Sequence, residues 1–584
     1  MARWCAVLTA DDPAGRLAAT GAEPVAAGGT YALGLVPAPG AAAGPWRAGQ
    51  LVAVGEVTLY EPEALRARLG GSAAGVPPDC PHGELLLRWY ARFGSARLAE
   101  AEGMYALAVV RDPGLVGGPA ELTLIRDAVG GRTLFLTRTA DGTWAAATAL
   151  RALARLPGLR TGLDLAAVRS FLSFAYLPGR QTLLRGVEEA LPGRRLRLRA
   201  DGSSQEAVYW EPAEADDPRG PQAHAARLRE LLEEATARRL PAGEPVGVLL
   251  SGGIDSSLVT ALAARRHDRP VRTYSIGFDT ETPDELGYSG LVAAHCGTGH
   301  RVLTVSGRSV AARLPETVAL LDCPVGDPLT VPNLLLAEAV AADGMRVVLN
   351  GEGGDPVFGG PKNLPMLIHE LYRREPDEEA RARAYLDSYR KCHADLPVLL
   401  TPEAQARAAD APPLTAPLAP YLRQGAMHSL LNQLLHTNLR TKGAHHILAK
   451  VERITAASGL EGRAPLFDRA VVDHAFAVPP RWKLAGTSEK WILKEAVRDL
   501  LPATVVDRPK SGMRVPVQQW LRGPLRELAE ELLFGRSARA RGLFRTDTLR
   551  AWTRGEGLLL PRHGGKLWLV LTLELWLRAY EVGP

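Results

Sequence analysis

Residues Ser251-Gly252-Gly253-Ile254-Asp255-Ser256-Ser257 stand between the apolar run Val246-Gly247-Val248-Leu249-Leu250 and the helix-like stretch Leu258-Val259-Thr260-Ala261-Leu262. A strand that feeds small residues into a helix start makes a phosphate cradle. Two glycines let the backbone come close to an anion, and the first turn of the helix offers unpaired N–H groups carrying partial positive charge. Ser251, Ser256 and Ser257 add hydroxyl donors. Asp255 would repel phosphate unless a divalent cation stood between them, so its place inside the loop argues for Mg²⁺ bridging carboxylate and phosphate oxygens. No Gly-Lys-Ser/Thr closes the loop, which sets it apart from a Walker A motif. A Gly-Ser turn that only caps a helix would use the same residue types.

Four further segments follow in order. Val347-Val348-Leu349 runs into Asn350-Gly351-Glu352-Gly353-Gly354-Asp355, with Phe358-Gly359-Gly360 just beyond. Gly459-Leu460-Glu461-Gly462-Arg463-Ala464-Pro465-Leu466-Phe467-Asp468 comes next, and Glu489-Lys490-Trp491-Ile492-Leu493-Lys494 and Arg508-Pro509-Lys510-Ser511-Gly512-Met513 come last. Two acidic Gly-rich turns, each after a buried-looking strand, suit a parallel sheet whose carboxyl ends open onto one crevice.

Together these segments, spanning Pro245 to Leu521, resemble the asparagine synthetase superfamily, which includes the β-lactam synthetases and lasso-peptide cyclases. The resemblance implies an α/β chain. An N-terminal Ntn-hydrolase-like α+β sandwich occupies 1–210, a linker 211–222, and a doubly wound parallel-sheet PP-loop ATP pyrophosphatase domain with helical additions 223–584. It makes Ser251, Gly252, Gly253, Asp255, Ser256 and Ser257 the pyrophosphate loop, and Gly351, Gly353 and Asp355 the second nucleotide loop. Ile276, Gly277 and Phe278 would lie near the adenine, and ATP and Mg²⁺ would be the cofactors, the metal held by Asp255 and Asp355. Lys490 is implied at the departing pyrophosphate and Lys510 at the oxyanion formed when an amine attacks an acyl-adenylate. Glu352 is the candidate general base, at the position where asparagine synthetases carry Glu and β-lactam synthetases Tyr. Glu461 to Asp468 resembles an element near the family's acceptor pocket.

Glutamine-dependent members of that superfamily expose a Cys directly after the initiator Met. Here Met1-Ala2-Arg3-Trp4-Cys5 offers no nucleophile at position 2, and Cys5 has an amide in place of a free amine. Val54 in Val52-Ala53-Val54-Gly55-Glu56-Val57 replaces the Asn of the family's oxyanion strand, and Pro81-His82-Gly83-Glu84 lacks the Asp expected to hold glutamine's amine. Gly103-Met104-Tyr105-Ala106 and Ile125-Arg126-Asp127 still resemble the domain's later strands. The expectation is a glutaminase scaffold without glutaminase chemistry.

Composition sets limits. A chain of 584 residues, 46% hydrophobic and 23% charged, can bury two large cores. It has no run of about eighteen apolar residues and no opening signal pattern, so a soluble, cytoplasmic protein without membrane contact is expected. Cys5, Cys80, Cys296, Cys323 and Cys392 lack CxxC spacing and read as reduced thiols. His445-His446, flanked by Lys442 and Lys450, point to different faces of a helix and read as packing or substrate contacts and not as a metal pair. A net charge of +5, with basic and acidic residues interleaved, gives no nucleic-acid footprint.

The acidic, Pro-rich stretch from Trp210 to Gln222 marks the linker. Residues Pro361 to Gln424 read as a helical elaboration over the crevice, and the tail from Leu559, with Trp568 and Trp576, as a core-packed terminal helix. The expected function is ATP-dependent amide-bond synthesis on a small-molecule or peptide substrate carrying both carboxylate and amine, with lasso-peptide macrolactam formation as the nearest named example and a biosynthetic partner protein as an option. An asparagine synthetase using free ammonia, and an inactive nucleotide-binding regulator or scaffold, remain as alternatives.

Overall fold

The computed structural model describes residues 3–36, 44–70, 76–112, 120–159, 162–280, 285–360, 363–371, 378–423, 425–486, 488–510, 512–555 and 565–582. Met1, Ala2, Pro361, Gln424, Ser511 and Leu559, all named above, lie outside these residues. The chain divides into two compact units, one of residues 1–164 and 179–211, the other of residues 165–178 and 212–584. The first unit differs from the contiguous 1–210 span expected from sequence, because Leu165–Pro178 packs with the second unit. The side chains of Phe174 and Tyr176 share an apolar cluster there with Tyr385, Tyr389 and Leu434.

Among its described residues the first unit holds twelve strands: β1 (Arg3–Leu8), β2 (Glu23–Gly28), β3 (Tyr31–Val36), β4 (Trp46–Ala48), β5 (Leu51–Leu59), β6 (Gly103–Arg111), β7 (Glu121–Arg126), β8 (Phe135–Arg138), β9 (Trp144–Ala147), β10 (Val187–Glu189), β11 (Arg194–Arg199) and β12 (Ser204–Val208). They form two six-stranded sheets, ordered β10-β8-β9-β1-β3-β2 and β12-β11-β7-β6-β5-β4. Period-two alternation decides which side chains meet. Trp4, Ala6 and Leu8 of one sheet share a core with Val52, Val54, Ala106, Ala108, Leu122 and Leu124 of the other. The opposite parity of the second sheet, including Ala53, Tyr105, Leu107 and Ile125, packs with Leu85, Leu86 and Trp89 of helix His82–Phe93. Leu17 of helix Pro13–Ala19 sits against Gly34 on the outer face of the first sheet. The result is the layered α+β sandwich expected.

The second unit is built on a parallel sheet of β13 (Val246–Leu249), β14 (Arg272–Phe278), β15 (Gly299–Val305), β16 (Val347–Leu349) and β17 (Glu461–Arg463), in the order β15-β14-β13-β16-β17. β16 and the first three residues of β13 are buried, as a sheet covered on both faces requires. The chain steps outward from β13 through β14 to β15, then returns to place β16 on the other flank of β13. Strand order therefore reverses between β13 and β16. Such a reversal is where open parallel sheets form a crevice, and a cavity lined by Leu249, Leu250, Val348 and Asn350 opens at the carboxyl ends of those two strands.

Residues 363–371 and 378–423 contribute mainly short helices, in keeping with the helical elaboration expected there. The terminal helix Gly565–Ala579 is core-packed, and the Trp576 indole donates to the Asp322 carbonyl at 2.9 Å. Between Glu211 and Gly220 the chain has no regular structure. Glu214 pins it by accepting the backbone N–H groups of His428 and Ser429 at 2.7 and 2.9 Å. No disulfide joins any of the five cysteines, all of which are described. Among the described residues no helix is long and apolar enough to cross a membrane.

Candidate active site

The loop after β13 and the loop after β16 are pressed against each other at the strand-order reversal. A Cβ at Gly351 would come within 2.4 Å of the Ser256 nitrogen, and one at Gly354 within 2.1 Å of Asp255 Oδ1. Glycine is required at both positions by contact alone. Gly252 is required by conformation too: its φ is 77°, and a Cβ there would lie 2.7 Å from the Ser289 nitrogen. Inside the first loop the hydroxyls of Ser251 and Ser256 meet at 3.0 Å, and the Ser251 N–H donates to Ser256 Oγ at 3.1 Å. Helix Ile254–Arg266 begins at this point with its first-turn N–H groups facing the loop.

Asp255 and Asp355, a hundred residues apart in sequence, share one ammonium. Lys490 Nζ lies 2.6 Å from Asp255 Oδ2 and 2.5 Å from Asp355 Oδ1. Lys510 Nζ stands farther off, at 3.4 Å from Asp255 and 4.0 Å from Asp355. The Lys490 side chain is 1% exposed and that of Lys510 26%. Burial acts to raise the Asp355 carboxyl, but the ammoniums of Lys490 and Lys510 outweigh it and hold the group well below the usual carboxylate range. Burial likewise opposes charge on Lys510, and Asp255 and Asp355 overcome it to raise that lysine above its ordinary value.

A cavity of about 330 Å³ opens onto this cluster, and Ser251, Gly253, Asp255, Ser256 and Ile276 line it. Gly351, Glu352, Gly353, Asp355 and Lys510 line it too. Phe278 lies in an adjoining cavity of about 380 Å³ that shares Ser251 and Ile276. Gly252, Ser257 and Gly277 line neither cavity, and Lys490 lines a small neighbouring pocket with Gly253 and Lys510. Arg508 lies 3.9 Å from the Tyr288 ring centroid, pairs with Glu285 and donates to the Gly252 carbonyl at 3.2 Å, tying the lysine-bearing segment to the loop.

The carboxylate pair fits a divalent cation. Asp255 Oδ1 is buried without a hydrogen-bond partner, which is the donor a hard cation would take. Among the described residues no group of three or more His, Cys, Asp or Glu could hold a metal without help. Oxygens from a bound phosphate would have to complete the coordination, in keeping with a metal that arrives with nucleotide.

The opposite wall holds the Lys442, His446 and Lys450 of the stretch that the sequence reads as packing or substrate contacts, together with Asp327, which it does not single out. There Lys450 Nζ donates to Asp327 Oδ2 at 2.6 Å, and His446 lies 3.7 Å from the same oxygen. Lys442, His446 and Lys450 all line the cavity, from a helix that is π-wound over Leu439–Leu448 and α-helical over Ala449–Ala457. Burial would raise the Asp327 carboxyl, but Lys450 and His446 bring it well below its ordinary value. Burial pushes His446 down to about 4, leaving a neutral imidazole stacked on the Tyr176 ring with centroids 5.5 Å apart. The four-residue spacing of the three basic side chains was the available signal. Asp327 carried none.

The segment Gly459–Asp468, expected near the acceptor pocket, does not line this cavity but packs behind its Gly353 wall. It forms the edge strand β17 and then a buttress in which Leu466 and Phe467 pack under Gly353. Asp468 accepts from Arg239 at 2.6 Å and caps helix Arg469–Ala477.

In the first unit Cys5 lies mid-strand, paired with Gly34 and Ala147. Burial pushes its thiol up to about 11 despite a hydrogen bond from Thr20. Val54 belongs to the core between the sheets, and Glu84 is paired with Arg88 at 2.7 Å.

Residues 227–578 match the asparagine synthase family and residues 29–210 the glutamine amidotransferase domain family. A chain of Mycobacterium tuberculosis (strain ATCC 25618 / H37Rv), provisionally named a glutamine-hydrolyzing asparagine synthetase, is 30% identical over 89% of this chain and 83% of its own length. Asparagine synthetase 1 of Bacillus subtilis (strain 168), also named as glutamine-hydrolyzing, is 24% identical over 84% of this chain and 80% of its own. Asparagine synthetase B of Escherichia coli (strain K12), named likewise, is 25% identical over 77% and 67%.

Proposed function

This chain belongs to the asparagine synthase family, and from that premise we propose that it activates a carboxylate as an acyl-adenylate and lets an amine displace AMP. It is an ATP-dependent carbon–nitrogen ligase. The observation that carries the finer reading is the meeting of Asp255, Asp355, Lys490 and Lys510 at one cavity that Glu352 also lines.

A carboxylate oxygen of the substrate attacks the α-phosphorus of ATP, the bond to the β-phosphate oxygen breaks, and pyrophosphate leaves. The Ser251–Ser257 loop binds the phosphates through backbone N–H groups and hydroxyls, and Lys490 offsets the charge that develops on the leaving pyrophosphate. Mg²⁺, held by Asp255 and Asp355, would neutralise and orient the triphosphate. The amine nitrogen then adds to the acyl carbon, Lys510 faces the oxyanion, and the C–O bond to AMP breaks as the amide forms. Glu352 takes the proton that the amine must lose. The walls around the cavity keep water from the adenylate.

The amine is carried by the substrate, which is a specialised metabolite or peptide joined in the manner of a lasso-peptide cyclase. Support comes from the first unit, where Cys5 is buried and protonated, Val54 is committed to the core and Glu84 to Arg88. A second reading, asparagine formation from aspartate and free ammonia, is favoured by Glu352 and by the names of the relatives. A cytoplasmic location accords with either. Pyrophosphate release with aspartate plus ammonia, and then with candidate amine-bearing acids or peptides, tests the proposal. Turnover that depends on glutamine, or that yields ADP and phosphate, would refute it.

A further inference from the structure

We propose that Lys490 is the resident counterion of the two-aspartate site, holding both carboxylates so that a divalent cation gains access only together with a nucleotide. The inference rests on reading Asp255 and Asp355 as the metal–nucleotide pair. Lys490 contacts an oxygen of each carboxylate at ordinary ion-pair distances, from a side chain that is almost wholly buried. Lys510 brings a second ammonium, so two negative charges already face two positive ones. A bare dication would enter a site with no net charge to attract it and two cations to repel it, at short range and away from bulk water.

The backbone fixes Lys490 in this role. It follows strand Ser488–Glu489, caps helix Trp491–Val497 and sits in the left-handed region with φ 56°. A non-glycine residue held there is constrained by its surroundings. Lys510 is more exposed and farther away, and its backbone N–H is held by Glu489 at 3.1 Å, the residue just before Lys490. A triphosphate would change the balance by offering both ammoniums new anionic acceptors. Carboxylate oxygens would then be released to a cation, while Asp255 Oδ1 is without a partner from the start. Metal and nucleotide would thus bind with positive coupling, through side chains of this chain alone.

Mn²⁺ titration of the full chain, followed by electron paramagnetic resonance, tests this without any turnover. The wild type is expected to show no Asp255-dependent site tighter than about 1 mM when nucleotide is absent, and to hold Mn²⁺ once α,β-methylene-ATP is added. Lys490→Gln should bind bare Mn²⁺ about tenfold or more tighter than wild type, Lys490→Arg should exclude it as wild type does, and Asp255→Asn in the Lys490→Gln background should abolish the site. A tight Mn²⁺ site on the wild-type chain without nucleotide, lost in Asp255→Asn, would overturn the proposal even if Lys490→Gln does not fold. Equal bare-metal affinity in wild type and Lys490→Gln would overturn it as well. Failure of wild type to hold Mn²⁺ even with nucleotide would reject the metal–nucleotide reading itself, and the counterion role with it.

Discussion

Lys450 and Asp327 form an ion pair at 2.6 Å that joins helix Ala449–Ala457 to the turn leading into helix Thr330–Ala342. The side chain of Lys450 is 6% exposed. Removing one member of a fully buried pair costs about 3–5 kcal/mol, and with Asp327 19% exposed and His446 beside it the cost here falls below that range. Lys450→Met should therefore lower the denaturant midpoint sharply, and the double variant Lys450→Met/Asp327→Leu should regain most of the loss. Equal stability of the single and double variants would show that the pair does not act as a unit.

Lys510→Met should slow amide formation while leaving nucleotide bound. Loss of one oxyanion donor typically lowers kcat by about 10²–10³. Single-turnover kinetics should show adenylate accumulating in this variant. A fall confined to nucleotide affinity would move Lys510 from the acyl carbon to the phosphates.

Gly354→Ala should damage the nucleotide site locally, since the new Cβ would fall 2.1 Å from Asp255 Oδ1. The expected result is a loss of ATP affinity of about tenfold or more with circular dichroism unchanged. Gly290→Ala is the control. A Cβ there meets nothing within 4 Å, and alanine in a helix interior is favoured over glycine by roughly 1 kcal/mol.

Cys5 should resist alkylation in the folded chain. A thiol raised to about 11 is ionised in only about one molecule in ten thousand at pH 7, and the thiolate is the reactive form. Peptide mapping after iodoacetamide should find the partly exposed Cys296 and Cys323 modified before Cys5. Cys5→Ala should leave ligase turnover within about twofold, as expected of a substitution in the unit that contributes none of the candidate ATP-site residues.

Lys483 supplies a pH signature. Burial pulls its ammonium down to about 7, only partly offset by Glu214, and it donates to Asn432 Oδ1 at 2.6 Å. An unfolded lysine titrates near 10.4, so between these values the unfolded chain binds more protons and this group makes stability rise with pH. The penalty is full below about pH 7 and fades toward pH 10, at about 1.4 kcal/mol for each pKa unit of depression. Lys483→Met should thus gain most over wild type at pH 6 and least at pH 9, read from denaturant unfolding at each pH. A difference that is flat with pH would mean that folding does not depress the Lys483 pKa.

The two glycine-acid loops were legible in the sequence because their constraints are local: Gly252 needs its φ, and Asp255 needs a reason to stand beside phosphate. The parallel sheet followed from buried strands β13 and β16 running into those loops. Lys490 and Lys510 were found only through family resemblance, since a lysine near a hairpin has no local signature of its partners. Asp327 escaped because its meaning depends on Lys450, more than a hundred residues away. What Gly459–Asp468 packs against was not legible, because a motif fixes a position in the chain and not the direction a side chain takes once β17 pairs at the sheet edge. Helix Leu165–Phe174 looked like part of its neighbours in sequence, and its allegiance was decided by contacts with Tyr385 and Tyr389.

The wide winding of Leu439–Leu448 supplies Lys442 and His446 to the cavity yet contributes no strand to the sheet and no residue to either glycine loop. Exchanging those two side chains would reshape that side of the cavity without touching a strand or a glycine loop, although the charge of Lys442 also acts on Asp355. One panel of the cavity can thus change shape by itself, while its charge is felt at the floor.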